Sequence, residues 1–218
     1  MKPIWACLAA VLLLAGVAGA TPACTSGPSW LTASTTLSCG GLTFSNFNVV
    51  AAAPGTNPMI AYVSADLTGP TVNLEFNPGL MGAVAPQDLH FYFQVTGVPI
   101  TGVDLAVGGT SASVDEMACS AAIPTSGPMK NLCPVGTTLA NMVAFSYPAQ
   151  NYTSVTFGTP VNTLYIFKDI GVGMGGSLSS FTESFEIQNQ TPEPASLLFI
   201  GSGLVALGWL RRRRAHKI

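Results

Sequence analysis

DLHFYFQVT, residues 88–96, decides the fold. Leu89, Phe91, Phe93 and Val95 take one parity; His90, Tyr92, Gln94 and Thr96 take the other. Side chains of a β-strand alternate between faces, so the stretch describes a strand with one buried and one outward side. SLSSFTESFEIQ (177–188) repeats the pattern, with Phe181, Phe185 and Ile187 opposed to Thr182, Ser184 and Glu186. Further candidate strands lie at 42–50, 59–67, 71–76, 100–107, 140–147, 153–159 and 162–170. Turn signals separate them: Leu67-Thr68-Gly69-Pro70, Asn77-Pro78-Gly79 and Gly97-Val98-Pro99. No run between Ala23 and Gln190 keeps a helical period for long. The expected fold is all-β, an antiparallel β-sandwich of Ig-like or jelly-roll-like type. Residues 108–138 are expected to form a long loop or an irregular hairpin.

Composition supports an exported β-rich body. Only 8% of the 218 residues are charged, against roughly 25% in ordinary soluble domains. A hydrophobic fraction of 48% excludes ordinary disorder, which needs few apolar groups and much net charge. Between Thr21 and Gln190 nine acids face two bases, Lys130 and Lys168, so the body is anionic. Phosphate recognition needs clustered Lys and Arg, and nucleic acid is therefore excluded as a partner.

The first 20 residues have a basic start at Lys2, an apolar run from Leu8 to Leu14 and a small-residue exit. That is a secretory signal peptide, with Ala18 and Ala20 framing cleavage by signal peptidase before Thr21. Export places Cys24, Cys39, Cys119 and Cys133 in an oxidising compartment, where an even set reads as disulfides. Of the three possible connectivities, Cys24–Cys39 with Cys119–Cys133 closes short local loops and is favoured. The spacing lacks a CxxC pattern or nearby histidines, so no metal is expected there.

Residues 191–218 read TPEPASLLFIGSGLVALGWLRRRRAHKI. The uncharged segment 195–210 spans about 24 Å as a helix, short of the roughly 30 Å bilayer core. Arg211, Arg212, Arg213 and Arg214 follow directly and would hold the downstream end in the cytoplasm. Pro192-Glu193-Pro194, then the glycine-studded helix and the arginines, resemble the PEP-CTERM sorting domain of Gram-negative bacteria. The resemblance implies that an exosortase recognises the tripeptide region of a transient membrane intermediate. It implies delivery to the outer surface or extracellular matrix, in association with exopolysaccharide. FSNFNV (44–49), PITGVDLAVGGT (99–110) and SSFTESFEI (179–187) are also similar to ectodomains of such proteins, which bring no assigned activity. The expected organisation is signal peptide 1–20, sandwich 21–190 and sorting signal 191–218.

No catalytic constellation emerges. His90 is expected to face outward from its strand, and no G-x-S-x-G elbow nominates a nucleophile. Asp115 and Glu116 are neighbours and point to opposite faces of a strand. Glu183 shares the parity of Phe181 and Phe185, an odd place for a charge, explained by strand-edge exposure or a bulge; a carbohydrate or calcium contact is the functional alternative. Gly171–Gly176 lacks the lysine of a phosphate loop and reads as a turn. Trp30, Tyr147, Tyr152 and Tyr165 could offer sugar-stacking faces, but their spacing does not unite them. The expectation is a non-catalytic surface or matrix protein with no cofactor, structural or adhesive in role. The alternatives are a lectin-like carbohydrate-binding module, calcium-assisted or not, and a secreted glycoside hydrolase.

Overall fold

The computed structural model describes residues 24–188 except 26, 28, 83, 84 and 147–149. The signal peptide with Ala18 and Ala20, Pro192 to Pro194, the segment 195–210 and Arg211 to Arg214 lie outside the described residues. Among those described, no helix is long and apolar enough to cross a membrane. The elements are β1 (Leu37–Cys39), β2 (Leu42–Ala51), β3 (Ala61–Thr68), β4 (Thr71–Asn77), β5 (Leu80–Met81), β6 (Gln87–Cys119), β7 (Thr138–Phe145) and β8 (Tyr152–Ile187). Every pairing is antiparallel.

Two of these strands are far too long to lie in one flat layer. β6 runs 33 residues and β8 runs 36, and each bends back across the other. Residues 163–172 of β8 pair on one side with 87–96 of β6 and on the other with 112–119. Residues 100–108 of β6 lie between 152–161 and 180–187 of β8. β1, β2 and β7 extend the first layer, while β3 and β4 extend the second and β5 pairs with residues 177–178. The hydrogen-bonded network is continuous, yet it folds into two facing layers: an antiparallel β-sandwich.

Alternation fills the space between the layers. Phe44, Phe47, Phe91 and Phe93 come from the first layer and Phe76, Phe181 and Phe185 from the second, all buried. Phe44 meets Phe185 at 5.3 Å between ring centroids, and Phe76 meets Phe91 at 5.4 Å, edge to face. Each such side chain contributes about 1.5–3 kcal/mol through burial, and tilted ring pairs add about 0.5–1.5 kcal/mol. Phe44 and Phe47 are three residues apart and would face opposite ways on a plain strand. A register shift between Ser45 and Asn48, with Asn46 at φ 58°, turns both inward.

The bends of β6 sit at two glycines. Gly97 has φ 141°, and a Cβ there would stand 2.2 Å from the carbonyl oxygen of Gly41. Gly109 has φ 125° and an equivalent 2.2 Å approach to the oxygen of Ser177. Only glycine permits both the dihedral and the close backbone approach.

The expected strands at 88–96 and 100–107 are limbs of one strand, as are those at 153–159, 162–170 and 177–188. The expected loop over 108–138 is corrected: β6 continues to Cys119, and only 120–137 is irregular. The inward residues of that third limb are Ala112, Val114, Glu116 and Ala118, too small and too mixed to register as a buried strand. Both local disulfides are formed, Cys24–Cys39 and Cys119–Cys133.

Lys168, Glu116 and Glu183 are wholly buried between the layers. Lys168 Nζ donates to Oε2 of both glutamates. The strand-edge or bulge explanation for Glu183 is thereby corrected: it faces inward in register, opposite Leu105, and meets a lysine.

Two outcomes check this account. Gly97→Ala should lower unfolding free energy in urea by about 1–3 kcal/mol, because the added methyl meets backbone rather than a movable side chain. Lys168→Met should cost about 3–5 kcal/mol in the same measurement, because it leaves two buried acids without their cation.

Candidate functional site

The outer face of the first layer carries the polar side chains that the fold gathers. Asp88, His90, Tyr92 and Gln94 alternate outward from β6, and Tyr165, Phe167 and Asp169 from the adjacent limb of β8. Register sets His90 directly opposite Asp169, Tyr92 opposite Phe167 and Gln94 opposite Tyr165. The segment 120–137 lies over part of this face, tied down at Cys119–Cys133. Asn131 accepts from the Tyr92 hydroxyl, and its amide lies 3.4 Å from His90 Nδ1. This cover explains why Tyr92 and Phe167 are buried despite pointing outward.

At one end, Asp88, His90 and Asp169 bring ligand atoms within 4.8 Å of one another. His90 Nε2 is 3.8 Å from Asp169 Oδ1. Asp88 Oδ1 is shielded from water without a hydrogen-bond partner among the described residues. Partial burial, the adjoining Asp88 carboxyl and the charge of Asp115 push the Asp169 carboxyl up to about 7. Partial burial pulls His90 below its ordinary value, against the pull of Asp88 and with the push of Lys130. The trio could offer two oxygens and one nitrogen to a borderline ion; calcium prefers an all-oxygen cage. Sequence reasoning missed the grouping, because Asp169 lies far along the chain and only the register brings it to His90.

At the other end is an open groove of about 270 Å³. Asn46, Asn48, Tyr92, Gln94 and Tyr165 line it, with Ile123 of the covering segment, and none of its lining residues is charged. Gln94 joins the two sides: its Oε1 accepts from Asn46 Nδ2 at 2.7 Å, and its Nε2 donates to the Tyr165 hydroxyl at 3.3 Å. The bulge that turns Phe47 inward also places Asn46 and Asn48 on the exposed face.

The other residues singled out in the sequence lie elsewhere. Tyr152 sits on the second layer opposite Ala106, Trp30 is exposed beside the strand-free segment before β1, and Tyr147 is outside the described residues. Tyr152 and Tyr165 lie on different layers and share no platform. Glu186 points to the other side of its strand from Glu183.

These features define a class: a disulfide-bonded antiparallel β-sandwich with a polar, partly covered outer face. A family model described as the PEP-CTERM protein-sorting motif matches residues 190–214, so the chain contains a PEP-CTERM sorting domain and is an exported protein. No curated protein matches it. Among solved structures it is similar to TmCBM61 in complex with beta-1,4-galactotriose (9% identity, 63% of this chain and 86% of that one, TM-score 0.35). It is similar also to a CBM4 structure (8%, 65% and 86%, TM-score 0.30) and to CpGH89CBM32-6 produced by Clostridium perfringens (7%, 61% and 91%, TM-score 0.22). At these scores the likenesses carry no functional argument.

The raised Asp169 carboxyl gives a signed pH dependence. The folded state holds a proton that the unfolded chain releases near pH 4, so stability contributed by this group falls as pH rises from about 4 to about 7. Urea unfolding across that range should show the decline, and Asp169→Asn should flatten it and stabilise the protein above pH 7. An unchanged slope in the variant would contradict the assignment.

Proposed function

We propose that this protein is a non-catalytic adhesive module of the cell surface or extracellular matrix, processed by an exosortase, that holds neutral polysaccharide in the groove at Gln94 and Tyr165. The observation that carries the proposal is the chemistry of that groove. Amide and phenol groups on adjacent strands offer donors and acceptors at fixed spacing, and the half-buried Tyr165 ring is of the kind on which sugars stack. The anionic body disfavours acidic polymers, because long-range repulsion acts before contact. The signal at 190–214 supplies the delivery.

For a glycoside hydrolase, two of the acids are out of a substrate's reach. Glu116 and Glu183 are inaccessible between the layers.

Affinity electrophoresis of the processed protein in neutral polysaccharide gels should show retardation. Tyr165→Ala should weaken it about tenfold, equal to about 1.4 kcal/mol. Retardation that survives EDTA separates this reading from a cation-assisted lectin. Absence of retardation in every neutral polymer, or full binding by the variant, would overturn it. Deleting residues 191–218 should release the body from the surface, followed by fractionation; full surface retention would contradict the sorting role.

A further inference from the structure

The outer face does not use the most unusual side chains in the molecule. Lys168, Glu116 and Glu183 come from three separate limbs and are buried between the layers. Glu116 stands opposite Lys168 on the neighbouring limb of the same layer, whereas Glu183 reaches it from the facing layer. Lys168 Nζ touches Oε2 of both, and the Phe181 ring, 5.4 Å away, walls it on a further side. The Oε1 atoms of both glutamates are buried with no hydrogen-bond partner among the described residues. As ions, the three groups carry a net negative charge in a dry interior and leave two carboxylate oxygens unsatisfied. Both conditions are costly.

We propose that Lys168 and Glu183 condense into an intramolecular isopeptide bond, a covalent staple between the two layers, with Glu116 as the proton-transfer group. Glu116 takes one proton from the Lys168 ammonium, which frees the amine lone pair. Nζ attacks Cδ of Glu183, and the Cδ–Nζ bond forms as the Cδ–OH bond breaks. The hydroxyl departs as water with a second proton from Nζ. The products are one amide, one water and a protonated Glu116; atoms and charge balance, and no redox partner is needed.

Three features favour the step. Fold-enforced contact replaces a bimolecular encounter, worth effective molarities of about 10⁵–10⁸ M in well-oriented cases. Burial and the Glu116 charge hold the Glu183 carboxyl well above its usual range, so it presents as the neutral acid, a better electrophile than a carboxylate. Glu116 touches the Lys168 ammonium and, although the two glutamates raise the lysine's hold on its proton, is placed to accept that proton and free the nucleophile. The product removes the ion pair and one unsatisfied oxygen from the interior.

Intact mass of the wild-type processed protein, denatured and with its disulfides reduced, reads the bond directly. The expected mass is that of the sequence between its two determined termini, less one water. Trypsin should then fail to cut after Lys168, and fragmentation should find a branched peptide joining Lys168 to Glu183. A full mass with free, cleavable Lys168 overturns the proposal, and a branch ending at Glu116 overturns the assignment of the electrophile. Lys168→Met should abolish the deficit, and Glu116→Gln should abolish the loss of water in freshly purified protein. An undiminished loss in the second variant removes Glu116 from the step. Should either variant fail to fold, the wild-type peptide map decides by itself.

Discussion

One lysine and two glutamates, closed off from water where the layers meet, make demands on the whole body. Lys168 lies on the limb that pairs with two separate parts of β6, Glu116 on the last of those parts, and Glu183 on a limb of the opposite layer. A slip of one residue in any of the three would turn a charge outward and leave the others without their counter-ion. Such a group adds little net stability over an apolar core of equal volume, yet breaking it is expensive. It therefore acts as a test of register, one that the surrounding phenylalanines could not impose. Apolar rings tolerate repacking; a buried ammonium does not.

The same two strands that set this register also build the outer face. Because β6 bends at tight glycine positions and both long strands double back, three of their limbs lie side by side in the first layer. That is why residues distant in sequence, His90 with Asp169 and Gln94 with Tyr165, become neighbours there. The irregular segment 120–137, held by Cys119–Cys133, then covers the middle of the face and leaves an acidic corner at one end and an uncharged groove at the other. Core and surface thus share one origin. The inward parity of these limbs supplies the buried triad and the outward parity supplies the polar face.

Much of the fold was legible because alternation is a local signal. DLHFYFQVT and SLSSFTESFEIQ announce their buried faces without reference to anything else in the chain. The limb at 112–119 stayed hidden because its inward residues are small and one is charged. Glu183 was noticed as a charge on a buried parity, but its explanation lay in Lys168, which nothing nearby in sequence points to. The groove was less legible still. Only the bulge at Asn46 puts two asparagines on the exposed side, and that bulge follows from a positive φ that the sequence does not announce.

The sequence alone determined the all-β character, the anionic and sparsely charged body and the sorting signal, and it favoured the local pairing of cysteines. Each rests on composition or on neighbours within a few residues, where side-chain parity, loop length and motif spacing act directly. The tertiary structure alone decided that two strands run through both layers, that Lys168 meets two glutamates, and which polar groups share the outer face. Those depend on pairing between segments tens of residues apart. Such pairing is chosen by the collective packing of the interior, and no local pattern encodes it.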